Sequence, residues 1–351
     1  MMWNQAKATG YMHADLVRRV EQLWQLVGNT PMLELHYHYK GTAGFIFVKC
    51  ENYNLSGSIK DRTALNIIHE AYKNCTIKPG DTIIEASNGN SGIAFAAIGR
   101  ALGHPVKILM PDSLSREKTE LIRNLGAELI LVSKEQGGFL GCIKKSEQFA
   151  SKKHVFLPKQ FENPNNTQVH EKTTGPEISK QLKARGLKPD AFVAGVGTGG
   201  TIMGVGKLLK SIYPDISIHP LEPFEHPMLR GGCSTGQHRI QGISEGFIPK
   251  LLNLSELGEV VQVNDGDAII MAQKLANELG LAVGISSGAN IVAAIKLKQA
   301  MRPDAIVVTL MCDDNKKYLS TDLLRLEPIK DYYVSSGLYF TGCKSISRFQ
   351  E

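Results

Sequence analysis

From Thr82 onward, short runs of apolar and β-branched residues alternate with longer stretches in which apolar positions recur at helical spacing. The first part of this alternation predicts three strands separated by two helices, over residues 82–85, 93–102, 106–110, 115–125 and 128–132. Gly103 and Gly126 directly follow the two predicted helices, as helix-ending glycines commonly do. Strands and helices that alternate in this way are typical of a parallel sheet covered by helices.

The alternation pauses at residues 160–166, a polar segment that contains Pro164. It then resumes and predicts helices over 169–182, 202–212 and 267–279, strands over 191–196, 216–222 and 305–311, and an irregular stretch over 223–249. The fold class is therefore α/β with two domains, each a mostly parallel sheet covered by helices. The pause marks the predicted domain boundary.

The predicted domains follow from that boundary. Residues 1–165 form an N-terminal region, which includes a smaller and mobile domain over about residues 50–165. Residues 166–326 form a larger domain. The last residues, 327–351, have weak periodicity, and we expect this tail to be partly disordered.

Composition and charge exclude several classes of protein. With 351 residues, of which 42% are hydrophobic, the chain can bury a core large enough for two domains, so a disordered or fibrous protein is excluded. The net charge is +6, but basic positions are interspersed with acidic ones, so we expect no nucleic-acid partner. No apolar stretch is long enough to span a membrane, and the first 20 residues lack the continuous apolar run of a signal peptide.

The cysteines and histidines lack the spacing of metal or redox sites. The six cysteines are far apart in the sequence, at Cys50, Cys75, Cys142, Cys233, Cys312 and Cys343. Reduced thiols of this kind favour a cytoplasmic protein. Among the ten histidines, His36 and His38 alternate along a predicted strand, and none has metal-ligand spacing, so we expect no metal site.

Lys60 is the first candidate for chemistry. It follows the small residues 56–58 and precedes Asp61 and a helical pattern over 63–72, which places it at or just before a helix N-terminus. The positive end of the helix dipole opposes a second positive charge, and this favours the neutral amine that can attack an aldehyde. On this segment alone, a solvated loop lysine beside a capping Asp61 is the simpler explanation.

Two loops rich in glycine and hydroxyl groups each connect a predicted strand to a helix. Residues 194–201, Ala-Gly-Val-Gly-Thr-Gly-Gly-Thr, present backbone N–H groups and two hydroxyls, which suits a phosphate monoester. Residues 87–92, Ser-Asn-Gly-Asn-Ser-Gly, are dense in hydroxyl and amide donors, which suits a carboxylate. Taken singly, either loop could be an ordinary tight turn before a helix.

A lysine at one helix start, a phosphate loop at a second and a carboxylate loop at a third are together the parts of a pyridoxal-phosphate site. With these parts, the sequence resembles the fold-type-II pyridoxal-phosphate enzymes, in particular the cysteine synthases (O-acetylserine sulfhydrylases) and the catalytic core of cystathionine β-synthase. The resemblance runs from residue 27 to residue 321. Its most specific matches lie over residues 58–62, 85–92, 160–164, 170–178, 195–201, 242–249 and 284–289.

The resemblance implies pyridoxal 5′-phosphate as the cofactor and a role for each matching position. Lys60 matches the Schiff-base lysine, which also moves the proton at the substrate α-carbon. Asn90 matches the partner of the cofactor's ring hydroxyl, and Ser286 matches the serine that faces the ring nitrogen. The phosphate-binding matches are Gly197, Thr198, Gly199, Gly200 and Thr201, and the matches that hold the substrate carboxylate are Ser87, Asn88, Ser91 and Gln160.

Three features depart from the cysteine synthase pattern. Asn88 stands where the family has serine, and residues 312–318 read Cys-Asp-Asp-Asn-Lys-Lys-Tyr in place of Pro-Asp-Ser-Gly-Glu-Arg-Tyr. Glu245 replaces a small residue, and the resemblance places it near the mouth of the active site, where a partly buried carboxylate could act as an acid or base. A solvent-facing Glu245 paired with a lysine is the alternative.

These matches predict β-replacement on a serine-type amino acid, in which O-acetyl-L-serine or a related activated serine reacts with sulfide to give L-cysteine. An alternative runs the sulfur chemistry in reverse: L-cysteine is the substrate, hydrogen sulfide is released with L-serine or a thioether, and Glu245 is the acid or base. A third hypothesis, a cofactor-binding protein without catalysis, is disfavoured because Lys60, Asn90, Gln160 and Ser286 are retained. The resemblance also implies a homodimer and docking of a serine acetyltransferase tail.

Overall fold

The computed structural model describes residues 15–231, 236–346 and 348. Residues 1–14, part of the segment for which we expect no signal peptide, lie outside the described residues, and so does Cys233. The chain divides into two units. The first comprises residues up to 28, 54–56 and 60–166, and the second comprises 29–53, 57–59 and the residues from 167 onward.

The strands and helices of the described residues alternate along most of the chain. The strands are β1 Met32–Tyr39, β2 Thr42–Cys50, β3 Thr82–Ala86, β4 Val106–Pro111, β5 Glu128–Val132, β6 Val155–Phe156, β7 Ala191–Gly195, β8 Ser217–Pro223, β9 Val261–Val263, β10 Val307–Met311 and β11 Leu338–Ile346. The helices are α1, described over 15–23, α2 Lys60–Lys73, α3 Asn90–Ala101, α4 Arg116–Asn124, α5 Gly138–Glu147, α6 Pro164–Val169, α7 Gly175–Lys183, α8 Gly200–Ile212, α9 Asp265–Leu279 and α10 Ile285–Ala300. A π-helix joins α6 to α7, at His170–Thr174.

The first unit is built on a four-stranded parallel sheet in the order β5-β4-β3-β6. Successive side chains of a strand point to opposite faces, and in β3 the neighbours Ile83 and Ile84 are both buried in different apolar clusters. The cluster around Ile83 includes side chains of α2 and α3, and the cluster around Ile84 includes Cys142 of α5. Both faces of this sheet are therefore covered, as parallel sheets require.

The second unit is built on a seven-stranded sheet in the order β11-β1-β2-β10-β7-β8-β9. Strand β1 pairs antiparallel with β2 and β11, and the other pairs are parallel. In β7, Phe192 packs in the cluster that contains side chains of α7 and α8, whereas Val193 packs with side chains of α9 and α10. This sheet is also buried between helices on its two faces.

The structure confirms the α/β fold class and the strands and helices predicted from the pattern, with bounds that shift by a few residues. The predicted helix over 169–182 is interrupted by the π-helix. The pattern missed α10 because this helix is buried on nearly all sides, so apolar and polar positions do not alternate along it at helical spacing.

The division of the chain differs from the predicted domain limits at several positions, and two of these differences involve whole strands. Residues 29–53 belong to the second unit rather than to an N-terminal region, because β2 pairs with β10 in the larger sheet. The tail after residue 326 contains β11, an ordered edge strand that pairs with β1. Both differences arise from strand pairing between residues that are far apart in the sequence.

The described residues offer neither a membrane-spanning helix nor a metal-binding cluster. No helix there is both long enough and apolar enough to cross a membrane. No three His, Cys, Asp or Glu side chains in the described part of the chain cluster in a way that could hold a metal ion.

Candidate active site

Lys60 is the first residue of α2, as its sequence context predicts, and its side chain is half-buried. The next residue, Asp61, is buried, and its carboxylate accepts hydrogen bonds from the backbone N–H and the hydroxyl of Ser56 at 2.7 and 2.5 Å. These two bonds tie the loop before the helix to its first turn. The lysine therefore starts a helix whose entry is held by a buried carboxylate.

The three residues before Lys60 are held by the segment that follows β10. The backbone N–H of Ile59 donates to the carbonyl of Cys312 at 2.9 Å, and the ammonium of Lys317 donates to the carbonyl of Gly57 at 2.7 Å. A Cβ on Gly57 would lie 2.0 Å from Oδ2 of Asp314, so only glycine fits there. The segment 312–318, which departs from the family pattern, thus positions the backbone that leads to Lys60.

The glycine loop of the second unit connects β7 to α8. Gly199 has a φ of 83°, a left-handed conformation that favours glycine, and it lies directly before the first residue of α8, Gly200. The hydroxyl of Thr198 accepts from the N–H of Gly200 at 3.3 Å, and the hydroxyl of Thr201 lies 3.3 Å from Nε2 of His170. The loop therefore brings two hydroxyls and a helix N-terminus together.

The segment 242–246 packs directly against this glycine loop. A Cβ on Gly197 would lie 2.4 Å from the carbonyl oxygen of Gly242. The N–H of Ser244 donates to the carbonyl of Val196 at 2.9 Å, and Ser244 itself has a φ of 53°. Glu245 follows in this constrained segment and is half-buried. The structure thus places Glu245 in the segment that packs on the glycine loop.

Ser286 lies in the first turn of α10 and is 6% exposed. Its hydroxyl makes no hydrogen bond to another described residue, whereas the neighbouring Ser287 accepts from the N–H of Cys312 at 2.9 Å. Strands β7 and β10 are parallel neighbours, so the loops that follow them leave the same edge of the sheet. The glycine loop and Cys312, the partner of Ser287, accordingly lie at that edge.

The candidate carboxylate loop lies in the first unit, between β3 and α3. The hydroxyl of Ser87 accepts from the N–H groups of Gly89 and Gly92 at 3.0 and 2.7 Å, which closes the loop into a tight turn. Gly89 has a φ of 127°, a conformation that a side chain would strain. Asn88 and Asn90 are half-buried on either side of it.

Gln160, which lies much later in the sequence, contacts this loop through its side chain. The hydroxyl of Ser91 donates to its Oε1 at 2.5 Å, and its Nε2 donates to the carbonyl of Ala86 at 2.9 Å. Its own carbonyl accepts from the side chain of Asn166 at 2.8 Å. The structure thus brings Ser91 and Gln160 together, as the shared role predicted for them requires, and it leaves one N–H of the Gln160 amide for a ligand.

Glu85, which has no predicted role, lies near the end of β3 and is 4% exposed. Its Oε1 accepts from the N–H of Ala86 at 3.0 Å, and its Oε2 accepts from the N–H of Gln160 at 3.3 Å. Burial raises the pKa of this carboxyl to about 8, although the backbone N–H groups around it act in the opposite direction. A lone acid in the otherwise apolar strand Thr82–Ala86 was the available signal.

The second unit fits a phosphorylated ring cofactor. Gly197 has no room for a side chain, because a Cβ there would lie 2.4 Å from the carbonyl oxygen of Gly242. Backbone N–H groups at the start of α8 and the Thr198 and Thr201 hydroxyls suit a dianion. The hydroxyl of Ser286 is available to a heterocyclic nitrogen.

Comparisons with known proteins agree with this geometry. The sequence profile of the family described as pyridoxal-phosphate dependent enzyme matches residues 23–313. A cysteine synthase of Staphylococcus aureus is 42% identical over 304 residues, which cover 87% of this chain and 97% of that protein. The crystal structure of a hydrogen sulfide-producing enzyme from Fusobacterium nucleatum is 51% identical, covers 92% of this chain and 97% of that one, and has a TM-score of 0.90.

A further solved structure, of O-ureido-L-serine synthase, is 34% identical over 88% of this chain and 96% of its own, with a TM-score of 0.80. The predicted resemblance to fold-type-II enzymes and the predicted cofactor are both confirmed by these matches. This chain belongs to the family of pyridoxal-phosphate-dependent enzymes.

Proposed function

We propose that this enzyme catalyses β-replacement on O-acetyl-L-serine, or a related activated serine, with sulfide as the nucleophile and L-cysteine as the product. The observation that carries the proposal is the arrangement at one edge of the larger sheet. The glycine loop follows β7 there, and Cys312 follows the neighbouring strand β10. Cys312 donates a hydrogen bond to Ser287, which is adjacent to Ser286 in α10. The similarity to cysteine synthase over nearly the whole length of both chains supports it. Pyridoxal phosphate, when bound, supplies an electron sink for negative charge at the substrate α-carbon.

The residues that we propose for the cofactor are those of the sequence analysis. Lys60 would hold the cofactor covalently at rest and carry the proton to and from the α-carbon. The residues 197–201 would bind the phosphate, and Asn90 would contact the ring hydroxyl. Ser286, a neutral hydroxyl, would leave the ring nitrogen largely unprotonated, which favours prompt loss of a β-substituent over transamination.

The substrate carboxylate would be bound in the loop that begins at Ser87. Gln160 has one amide N–H left after its bonds to Ser91 and Ala86, and this N–H is a suitable donor. Ser87 accepts two backbone N–H groups and retains its own O–H. Asn88 adds a side-chain amide in place of the usual hydroxyl. This carboxylate site thus differs from that of cysteine synthases at one position.

A second candidate function is the breakdown of L-cysteine to hydrogen sulfide and L-serine. The similarity at 51% identity to an enzyme described as hydrogen sulfide-producing favours it. So does the position of Glu245 in the segment that packs against the glycine loop. A carboxylate there could take a proton from a water molecule that attacks the β-carbon, and it would repel hydrosulfide.

The decisive experiment compares the two reactions in one preparation. Purified enzyme is incubated with O-acetyl-L-serine plus sulfide, and separately with L-cysteine alone, and cysteine, sulfide and serine are followed. Glu245→Gln should slow sulfide release from L-cysteine more than cysteine formation if Glu245 is the base. Glu259→Gln, which alters an exposed glutamate of the same unit, is the matched control. A protein that holds the cofactor but is inactive in both assays would favour a binding protein.

Two further variants test the proposed residues. Lys60→Ala should lower turnover by several orders of magnitude and change the visible absorption of the bound cofactor, whereas Lys73→Ala at the other end of the same helix should change neither. Asn88→Ser should alter amino-acid affinity without loss of cofactor. Identical amino-acid titrations of wild type and Asn88→Ser would remove Asn88 from the carboxylate site.

We also propose that the enzyme is a cytoplasmic homodimer. The five cysteines in the described part of the chain form no disulfide there, which suits a reducing compartment. The segment before β11 exposes several large apolar side chains, namely Leu324, Leu326, Ile329 and Tyr332, and exposed apolar clusters commonly mark protein interfaces. Light scattering after gel filtration would give the mass, and Leu326→Asp should shift it toward the monomer. Docking of a serine acetyltransferase tail stays a prediction.

A further inference from the structure

Glu85 is buried in the first unit and contacts Gln160, a residue of the proposed carboxylate site. It lies two residues before Ser87, and its carboxyl group is in contact with the backbone N–H of Gln160 at 3.3 Å. It is 4% exposed, so its polar atoms are satisfied by the protein rather than by solvent. The buried acid thus lies directly behind two of the residues that we propose for the substrate carboxylate.

The turn that carries Gln160 begins with a residue in an unfavourable backbone conformation. Lys159, the residue before it, has a φ of 52°, a left-handed conformation that is unfavourable for a lysine. Besides the bond from its N–H to Glu85, Gln160 is held through its side chain by Ala86 and Ser91. Of these contacts, only the one with Glu85 involves a group that can change its charge.

The surroundings of Glu85 favour its uncharged form. Burial raises its pKa to about 8 and outweighs the backbone N–H groups of Ala86, Lys159 and Gln160, which lower it. The ammonium of Lys159 is the charged group that acts on it, and it also lowers the pKa. Ionisation, which a rise in pH through that value would favour, would place a buried negative charge at the same position.

We propose that Glu85 is a positioning residue that holds Gln160 as a neutral acid, and that its ionisation weakens the binding of the amino-acid carboxylate. The inference rests on the proposed function, because it requires that the substrate carboxylate is bound at Gln160. Two negative charges in one partly buried site repel each other, and the expected loss of affinity is on the order of tenfold. Substrates that lack a carboxylate should escape this effect.

The test is a set of titrations of the holoenzyme between pH 6.5 and 9.5, read by calorimetry and by the visible absorption of the cofactor. In the wild type, the affinity for L-cysteine should fall as the pH rises through about 8, relative to the affinity for cysteamine, which has the same amine and thiol but no carboxylate. The ratio of the two affinities cancels the pH effects that arise from the amine and the thiol, which both compounds contain. It needs no variant, so poor folding of a variant leaves the test intact.

A matched pair of variants assigns the effect to Glu85. Glu85→Gln has nearly the shape of the neutral acid and no ionisable group; it can accept only one of the two backbone N–H groups of Ala86 and Gln160, but it should make the L-cysteine to cysteamine ratio independent of pH. Glu128→Gln removes an exposed carboxylate in the same sheet and should leave the wild-type profile unchanged. A flat ratio in the wild type, or an unchanged pH profile in Glu85→Gln, would overturn the inference while cofactor and amino acid still bind. A protein that binds no amino acid at any pH would overturn the proposed function, and with it this inference.

Discussion

Gly197→Ala is the sharpest perturbation of the proposed phosphate site. The added Cβ would lie 2.4 Å from the carbonyl oxygen of Gly242, far inside the distance that two such atoms tolerate. Both contacting groups belong to the backbone, so no flexible side chain can move aside. The glycine loop or the segment 242–246 must therefore shift by on the order of 1 Å.

The expected cost follows from that shift. Overpacking of this kind destabilises a protein by about 1–3 kcal/mol. Hydrogen bonds to a charged group contribute about 1.5–3 kcal/mol each, so misdirecting one N–H of the loop should weaken cofactor binding roughly 10- to 100-fold. The amino-acid site of the first unit should keep its structure.

The assay is a titration of apoenzyme with pyridoxal phosphate, followed by absorbance, with circular dichroism to check the fold. Gly337→Ala is the matched control, because a Cβ there would meet its nearest atom, on Lys40, at an ordinary 3.4 Å. Gly197→Ala protein that binds the cofactor as tightly as wild type would refute the assignment of residues 197–201 to the phosphate.

Three further predictions concern stability and reactivity. The pKa of Glu85 is about 8 in the folded state, above its ordinary value of 4.5. As the pH rises from 4.5 to 8, the free energy of unfolding of the wild type, measured with urea, should therefore fall relative to that of Glu85→Gln, by up to about 5 kcal/mol. Parallel pH profiles for the two proteins would contradict this. Arg239→Gln removes the two 2.7 Å bonds to Glu327 that tie the tail to the region before residue 242, and should cost about 1–2 kcal/mol, since the guanidinium is partly exposed. Burial raises the pKa of the thiols of Cys50 and Cys142 to about 12, so a thiol reagent at pH 8 should modify the native protein at Cys75 and Cys343 before either of them.

Local sequence was sufficient for most of the elements, and three local segments taken together predicted the cofactor. The five residues of β7 are apolar or small, the glycines follow at once, and α8 begins where they end. Strand, loop and helix are thus each encoded within a few residues. The same holds for Lys60, whose helix start could be predicted from the residues on either side of it.

Sequence alone could not determine which segments pair. Strand β2 lies beside β10 although more than 250 residues separate them in the chain, and β11 of the apparent tail completes the sheet on β1. Which strands pair depends on which complete faces of the sheet become buried, and a local sequence pattern does not contain this information. Residues 29–53 belong to the second unit rather than to the first because β2 pairs with β10.

The chemistry of individual carboxylates was likewise decided by tertiary structure. The sequence shows Glu85 as one acid in an apolar strand, but its raised pKa arises from burial, and its contact comes from Gln160, 75 residues away. The position of Glu245 depends on the bond between Ser244 and Val196, which joins an irregular segment to the end of a distant strand. Short runs of residues were enough to predict the cofactor, the helix start at Lys60 and most of the elements in their order. Only the folded chain decided which charges are buried and which residues they face, because burial and long-range contact exist only once the sheets are assembled.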